Sequence, residues 1–158
     1  MASELLYRTA MQPEWIDYNG HLRDAFYGLI VSYAVDELMD RLGIDAAYRA
    51  RTANTLYTVE MHVHFMREVK KDDFVLVKVR LLASDQKRIH AAFDVIREGD
   101  GEVAASIEQM LLHVHQGETV KTVPFSPETT GALSALAAAT GSAPEVGPGS
   151  RRMELRRK

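Results

Sequence analysis

Hydrophobic positions in residues 24–65 change from a helical period to a period of two, which predicts one long helix followed by a strand. Between residues 24 and 42, apolar side chains cover most of the circumference of a helix with about 3.6 residues per turn, which is typical of a buried helix. Gly43 then offers a residue suited to ending it. Between residues 57 and 65 apolar and polar residues alternate, which predicts a strand with one face on the core. That core face would carry Tyr57, Val59, Met61, Val63 and Phe65.

Further segments with the composition of strands lie before and after this pair of elements. Their predicted bounds are residues 5–11, 73–82, 87–97 and 102–115. Short turn-forming sequences at residues 83–86 and 98–101 separate the last three strands. We therefore expect these strands to pair as antiparallel hairpins.

The order of predicted elements is β-α-β-β-β-β, an α+β chain in which one antiparallel sheet wraps around one long apolar helix. A short helical connector is expected at residues 45–53. Ser126 followed by Pro127 predicts the start of a second helix, which ends near Thr140. The chain then divides into a domain over residues 1–125, a C-terminal helix over 126–140, and a flexible basic tail over 141–158.

Composition limits the classes of protein to which the chain can belong. A chain of 158 residues with 46% hydrophobic content has the size and core of one domain. The absence of Cys excludes disulfides, Cys-ligated zinc and a cysteine nucleophile. The net charge is −3, but the last eight residues hold five of the 19 basic and one of the 22 acidic side chains, so residues 1–150 carry −7, which argues against a nucleic-acid partner. The N-terminal sequence predicts neither a signal peptide nor a membrane span, so we expect a cytoplasmic protein with no membrane partner.

The candidate chemistry lies in residues 15–27, where one carboxylate precedes a glycine turn and the start of the long helix. A helix start presents free backbone N–H groups and partial positive charge, which can stabilise an oxygen that gains negative charge. A carboxylate such as Asp17 beside such a site is the minimum that hydrolysis of an activated acyl group requires. Taken alone, an Asp before a helix is more often a turn or capping residue. For Gly20, an ordinary loop glycine is the alternative interpretation.

The pattern D-x-N-G-H at residues 17–21, followed six residues later by Tyr27, resembles the catalytic segment of hotdog-fold acyl-CoA thioesterases of the 4-hydroxybenzoyl-CoA thioesterase type. The resemblance covers about residues 5–120 and implies the hotdog fold without a cofactor. It implies that Asp17 either attacks the thioester carbonyl or activates water. It also implies that Gly20 and the backbone N–H groups from His21 to Asp24 form the oxyanion site. His21 itself either contacts the substrate, carries a proton, or holds the Asp17 loop.

A longer match, over residues 17–23 and 108–114, is similar to the thioesterases of carnitine breakdown, whose substrate is betainyl-CoA. Aromatic rings can hold a quaternary ammonium group by cation–π attraction. Aromatic residues close to Asp17 are therefore candidates to bind the acyl group, namely Trp15, Tyr18, Phe26, Tyr27 and Tyr33.

CoA carries several phosphate charges, so a CoA-binding protein with an acidic body needs a local basic patch. The candidate phosphate contacts are Arg67, Lys70 and Lys71 after one strand, and Lys87 and Arg88 after the next. A sheet that wraps one helix leaves an edge strand to be covered, so we expect a homodimer or a dimer of dimers. The polar face of the strand at residues 57–65 would lie at that boundary, where Glu60 of one chain approaches the site of another.

Other functions are open from the residues. A non-catalytic acyl-CoA-binding sensor on the same fold would keep the helix-start site but would not use Asp17. An enoyl-CoA hydratase is disfavoured. Hotdog hydratases carry the pattern D-x-N-P-x-H, whereas this chain lacks the proline and its His21 comes one residue earlier than the His of that pattern. The His-x-His pairs at residues 62–64 and 113–115 would bind zinc only if three or four ligands converged, and we predict no metal site.

Overall fold

The computed structural model describes residues 4–140, so the predicted basic tail lies outside the described residues. The strands are β1 (Glu4–Ala10), β2 (Asn54–Phe65), β3 (Phe74–Ser84), β4 (Arg88–Arg97), β5 (Val103–His115) and β6 (Lys121–Thr122). The α-helices are α1 (Asp24–Arg41), α2 (Ala46–Thr52) and α3 (Pro127–Thr140), and a 3-10 helical turn covers Pro13–Trp15. Each predicted helix and strand is therefore present, with bounds that differ by a few residues.

The strands form one antiparallel sheet in the order β1-β3-β4-β5-β2, with the short β6 beside β5. The predicted hairpins β3–β4 and β4–β5 are both confirmed. The α+β hotdog arrangement is confirmed as well, since the sheet curls around α1. Strand β2 lies at one edge of the sheet, and this position matters for the site.

Helix α1 is buried on one side only, which corrects the expectation of burial all round. Its side chains from Tyr27 to Met39 include seven that are buried against the sheet. They meet an inner layer of sheet residues that are fully buried, among them Val77, Phe93 and Ile107. The opposite side of the helix, with Ser32 and Asp36, is exposed because no described element covers it. Within residues 4–140 no helix is both long and apolar enough to cross a membrane.

A bulge in β2 overturns the predicted core face of that strand. The pairing with β5 shifts register between Thr58 and Glu60. Before the bulge, Thr58 lies opposite the fully buried Leu111 and so shares its inner side, whereas Tyr57 lies opposite Leu112 on the outer side. After the bulge, the inner side carries Met61, Val63 and Phe65, as predicted. The expectation was therefore wrong for Tyr57 and Val59, because one extra residue reverses the alternation.

Tyr48 and His113 form a buried polar contact that joins α2 to β5. His113 is fully buried, its Nε2 atom lies 3.2 Å from the Tyr48 hydroxyl, and its Nδ1 atom lies 3.0 Å from the Val123 carbonyl oxygen. Because a carbonyl can only accept, Nδ1 carries the proton and Nε2 accepts from the tyrosine. The ring also stacks on Phe125 at 4.9 Å between centroids.

Replacing this histidine should destabilise the fold. We expect His113→Ala to lower the free energy of unfolding by about 2–4 kcal/mol, since it opens a cavity and removes both hydrogen bonds. His115→Ala is the matched control, because His115 is only partly buried and its ring makes one side-chain hydrogen bond within residues 4–140, with Asn54. Urea unfolding measures both variants, and equal losses would contradict this assignment.

Candidate active site

Asp17 begins a tight turn that is held by hydrogen bonds to both its side chain and its backbone. Its Oδ1 atom accepts the N–H groups of Asn19 at 2.8 Å and His21 at 3.0 Å. The Asp17 N–H donates to the His21 carbonyl, and the Gly20 N–H donates to the Asp17 carbonyl. Gly20 has a φ of 78°, in the left-handed region that favours glycine. Because Oδ1 accepts both of these hydrogen bonds, Asp17 can hold the turn while its other carboxylate oxygen serves the chemistry.

The turn also sets the charge of Asp17. The hydrogen bond from the His21 N–H, and to a smaller extent that from Asn19, lowers the pKa of the Asp17 carboxyl below its usual value. The side chain is thus a carboxylate at neutral pH, the form required of a nucleophile or a general base.

The start of α1 leaves one backbone N–H group for a ligand. The N–H groups of Leu22 and Arg23 donate to the carbonyls of Val69 and Trp15, at 2.8 and 3.0 Å. That of His21 is taken by Asp17. Among the hydrogen bonds of residues 4–140, none uses the N–H of Asp24, the first helical residue. Of the backbone N–H groups from His21 to Asp24 that were expected to form the oxyanion site, only that of Asp24 is therefore available within residues 4–140.

An open cleft of about 390 Å³ lies between this helix start and the end of β2. His21 faces Glu68 across it, with Nε2 and Oε2 3.3 Å apart, and Lys70 lies 3.5 Å from the other oxygen of Glu68. Tyr27 packs edge-on against Phe65 at 5.1 Å between ring centroids. The cleft is lined by Asp17, His21, Leu22, Asp24, Tyr27, Phe65, Met66, Arg67 and Glu68.

The structure gathers only some of the aromatic residues predicted to bind the acyl group. Tyr27 lines the cleft, and burial raises the pKa of its phenol. Trp15 is buried instead and stacks on Phe26 at 5.9 Å. Tyr18 is 92% exposed on the turn, and Tyr33 pairs with Tyr7. The predicted aromatic cage therefore does not form within one chain, because these rings leave the helix and turn in different directions.

The basic residues predicted to contact the CoA phosphates lie at opposite ends of the sheet. Arg67 lines the cleft and Lys70 contacts its Glu68, so this cluster is next to Asp17. Lys87 and Arg88 follow the far end of β3, a strand of 11 residues that spans roughly 35 Å. Arg88 is also paired with Asp85 at 2.5 Å. The two clusters therefore cannot contact one CoA molecule at this cleft in the same chain.

Glu60 lies on the outer face of the sheet, away from α1. It helps to line a second pocket of about 210 Å³ that includes His62, His90 and Glu108. His90 and Glu108 are 2.5 Å apart there. Within residues 4–140, no group of three or more His, Cys, Asp or Glu side chains is placed to hold a metal ion.

The sequence reasoning missed Leu22, Phe65, Met66 and Glu68 as residues of the cleft. Phe65 was assigned to the core, yet it is 48% exposed at the end of an edge strand. Glu68 carries a recognisable signal, since it lies between Arg67 and Lys70 in the segment already considered for phosphate binding. Tertiary contacts bring that segment to Asp17, namely the Leu22 N–H to the Val69 carbonyl, the Lys71 N–H to the Gly20 carbonyl and the bridge between His21 and Lys70.

A family model described as the thioesterase-like superfamily matches residues 11–133, which include the cleft and the whole sheet except β1. The chain belongs to this superfamily. It is also 44% identical over 138 residues to the betainyl-CoA thioesterase of Pseudomonas aeruginosa, a match that covers 87% of this chain and 86% of that protein. The resemblance stated from the sequence is thereby confirmed.

Two other relatives extend the comparison. An L-carnitine dehydrogenase/betainyl-CoA thioesterase of Agrobacterium fabrum is 37% identical over 143 residues, which is 90% of this chain but 28% of that longer protein. A solved structure of a candidate thioesterase from Pseudomonas putida KT2440 is 41% identical, with a TM-score of 0.86 over 99% of both chains. A Staphylococcus aureus protein in complex with CoA has a TM-score of 0.89 at 24% identity, over 99% of this chain and 98% of that one, and supports the fold alone.

Proposed function

We propose that this member of the superfamily hydrolyses an acyl-CoA thioester and that its acyl group is betainyl. The observation that carries the proposal is a cleft lined by both Asp17 and Asp24, the first residue of α1, whose N–H is used by no hydrogen bond within residues 4–140. Two relatives named for betainyl-CoA, each matching most of this chain, support the choice of acyl group. CoA thioesters are metabolites of the cell interior, so the proposal keeps the predicted cytoplasmic location.

Both reaction routes open to Asp17 place negative charge on the thioester carbonyl oxygen. The carboxylate either attacks the thioester carbonyl carbon or takes a proton from a water molecule that attacks it. In each case the carbonyl oxygen gains negative charge, which the Asp24 N–H and the positive end of α1 can stabilise. Breaking the C–S bond then releases CoA as a thiolate that takes up a proton. In the first route the acyl group is left on Asp17 as an anhydride, which a water molecule hydrolyses to restore the Asp17 carboxylate. In both routes the acyl group leaves as a carboxylate.

The charge of the cleft favours a cationic acyl group. Its lining includes three carboxylates, Asp17, Asp24 and Glu68, against one arginine, Arg67. A quaternary ammonium close to these carboxylates gains from their field, whereas an anionic acyl group would be repelled. The phosphates of CoA would then lie toward Arg67 and Lys70, at the mouth of the cleft.

Release of free CoA separates this function from its alternatives. A thiol-detecting assay with betainyl-CoA, acetyl-CoA and a longer neutral acyl-CoA should show turnover, fastest with betainyl-CoA. A non-catalytic sensor would bind these compounds, measurable by calorimetry, without releasing thiol. A hydratase would consume an enoyl-CoA and leave its thioester intact. Binding without thiol release would overturn the proposal.

The proposal includes a homodimer formed through β2. This edge strand has no partner on its outer edge among residues 4–140. It also exposes large apolar side chains, with Val59 55% and Met61 44% exposed. Such an edge invites pairing with a second copy, which would bury these residues and extend the sheet. Phe65 at the end of the strand would carry the interface up to the cleft.

We expect light scattering to give the mass of a dimer or a dimer of dimers, and Val59→Asp to shift it toward the monomer. A charge buried at such an interface costs several kcal/mol. Val120→Asp is the matched control, because Val120 is similarly exposed, at 50%, but lies in the loop after β5. A fully active monomer at assay concentration would contradict the dimer.

A further inference from the structure

Glu68 lies in the segment after β2, where backbone contacts hold it beside the turn that precedes α1. The next residue, Val69, is fully buried, and its carbonyl accepts the Leu22 N–H at 2.8 Å. The carbonyl oxygen of Glu68 itself accepts from Arg97 Nη1 at 2.9 Å. The backbone of Glu68 is therefore fixed at the cleft, although its side chain is half exposed.

The Glu68 carboxylate divides its two oxygens between a lysine and a histidine. Oε1 lies 3.5 Å from Lys70 Nζ, and Oε2 lies 3.3 Å from His21 Nε2. Lys70 thereby holds one oxygen while the other meets the imidazole. A carboxylate beside one ring nitrogen of a histidine orients the ring. Nδ1 of His21 is then the ring nitrogen that remains for a ligand in the cleft.

His21 lies where the reaction needs a proton. It lines the same cleft as Asp17, and its backbone N–H donates to Asp17 Oδ1 at 3.0 Å. That hydrogen bond is the main reason why the pKa of the Asp17 carboxyl is lowered, and the nearby positive charge of the His21 ring lowers it further. Histidine is the side chain that gives and takes protons near neutral pH, and the thiolate released from CoA takes one up. Tyr27 also lines the cleft, but burial raises the pKa of its phenol and makes it a weaker proton donor.

We infer that Glu68 is a positioning residue, which holds the His21 ring so that the ring protonates the sulfur atom of the departing CoA. This inference rests on the proposed function. When the C–S bond breaks, its electron pair goes to sulfur, and the imidazolium of His21 gives that sulfur a proton. In either route of Asp17, the water molecule that reacts gives up two protons. One of them restores the imidazolium, and the other is released with the carboxylate product.

A double-mutant cycle with betainyl-CoA and acetyl-CoA tests whether Glu68 acts through His21. His21→Ala should lower kcat by about 10²-fold, and Glu68→Gln by about ten- to thirtyfold with both thioesters, with little change in KM for acetyl-CoA. The double variant should be no slower than His21→Ala, because Glu68 then has no ring to position. Glu98→Gln is the matched control and should leave kcat unchanged. Glu98 is also a partly exposed glutamate in an ion pair, with Arg8 at 2.6 Å, but it does not line the cleft.

Chemical rescue of His21→Ala tests the proton transfer itself. Added imidazole should restore part of the lost kcat, since the open cleft can admit it. Pyrazole has the same ring size but is not protonated near neutral pH, so it should restore nothing. Equal effects of the two compounds would contradict proton transfer by His21. If circular dichroism shows that His21→Ala does not fold, His21→Asn replaces it in the cycle and in the rescue, with the same expectations.

The outcomes separate the inference from the function on which it rests. If the two losses multiply in the double variant, Glu68 acts independently of His21, and the inference is overturned while the hydrolase stays intact. A loss in Glu68→Gln that is confined to KM for betainyl-CoA would overturn it as well, because it would assign Glu68 to attraction of the cationic acyl group. No release of thiol from either thioester by the unmodified protein would overturn both.

Discussion

Asp17→Asn is expected to fold normally and to lose about 10²–10⁴-fold in kcat, the range typical of a removed acid–base group. The amide keeps an oxygen that can accept from the Asn19 and His21 N–H groups, so the turn should persist. It loses the negative charge that either attacks the carbonyl or accepts a proton from water. Steady-state release of CoA measures the effect, and circular dichroism checks the fold.

Asp45→Asn provides the matched control for this change. Asp45 is also a capping carboxylate, since it accepts the Tyr48 N–H at 2.7 Å at the start of α2, but it does not line the cleft. The same substitution there should change kcat by less than about twofold. If Asp17→Asn retained activity close to that of this control, Asp17 would be only a turn residue.

Asp24→Pro should reduce kcat by about 10²–10³-fold, because it removes the N–H at the start of α1 that no hydrogen bond within residues 4–140 uses. Proline is well suited to the first helical position, where its missing N–H breaks no helical hydrogen bond. The preceding Arg23 already has φ −65° and ψ 146°, the extended conformation that a residue before proline requires. The helix should therefore form as before.

Asp24→Ala separates the N–H group from the carboxylate of the same residue. It removes the side chain that accepts the Ala25 N–H at 2.8 Å, as proline does, but it keeps the backbone donor. We expect it to lose far less activity than Asp24→Pro. Equal losses in the two variants would assign the effect to the carboxylate and remove the N–H from the proposed oxyanion site.

Local patterns predicted the elements of this fold because each depends on neighbouring residues. The turn sequences between β3, β4 and β5 specify hairpins, and Gly43, with its φ of 75°, follows the last turn of α1. The bulge in β2 was not predictable in the same way, since one extra residue at Val59 leaves the alternating pattern intact in the sequence. Its effect appears only in the pairing with β5.

The site was predictable as far as it depends on one segment. Asp17, His21, Asp24 and Tyr27 come from one motif, and all four line the cleft. The number of free N–H groups was not predictable, because the acceptors for Leu22 and Arg23 come from Val69 and Trp15. The basic clusters look alike in the sequence, and only the course of β3 assigns them to opposite ends of the sheet.

Single-turnover release of CoA from betainyl-CoA, with protein in excess, tests the central claim that Asp17 at the start of α1 performs thioester hydrolysis. Saturating protein removes differences in binding, so the observed rate reports the chemical step. The unmodified protein should convert all bound thioester to free thiol, whereas Asp17→Asn should bind the same amount and release it at least about 10²-fold more slowly. Equal rates in the two proteins, or no release by the unmodified one, would contradict the claim.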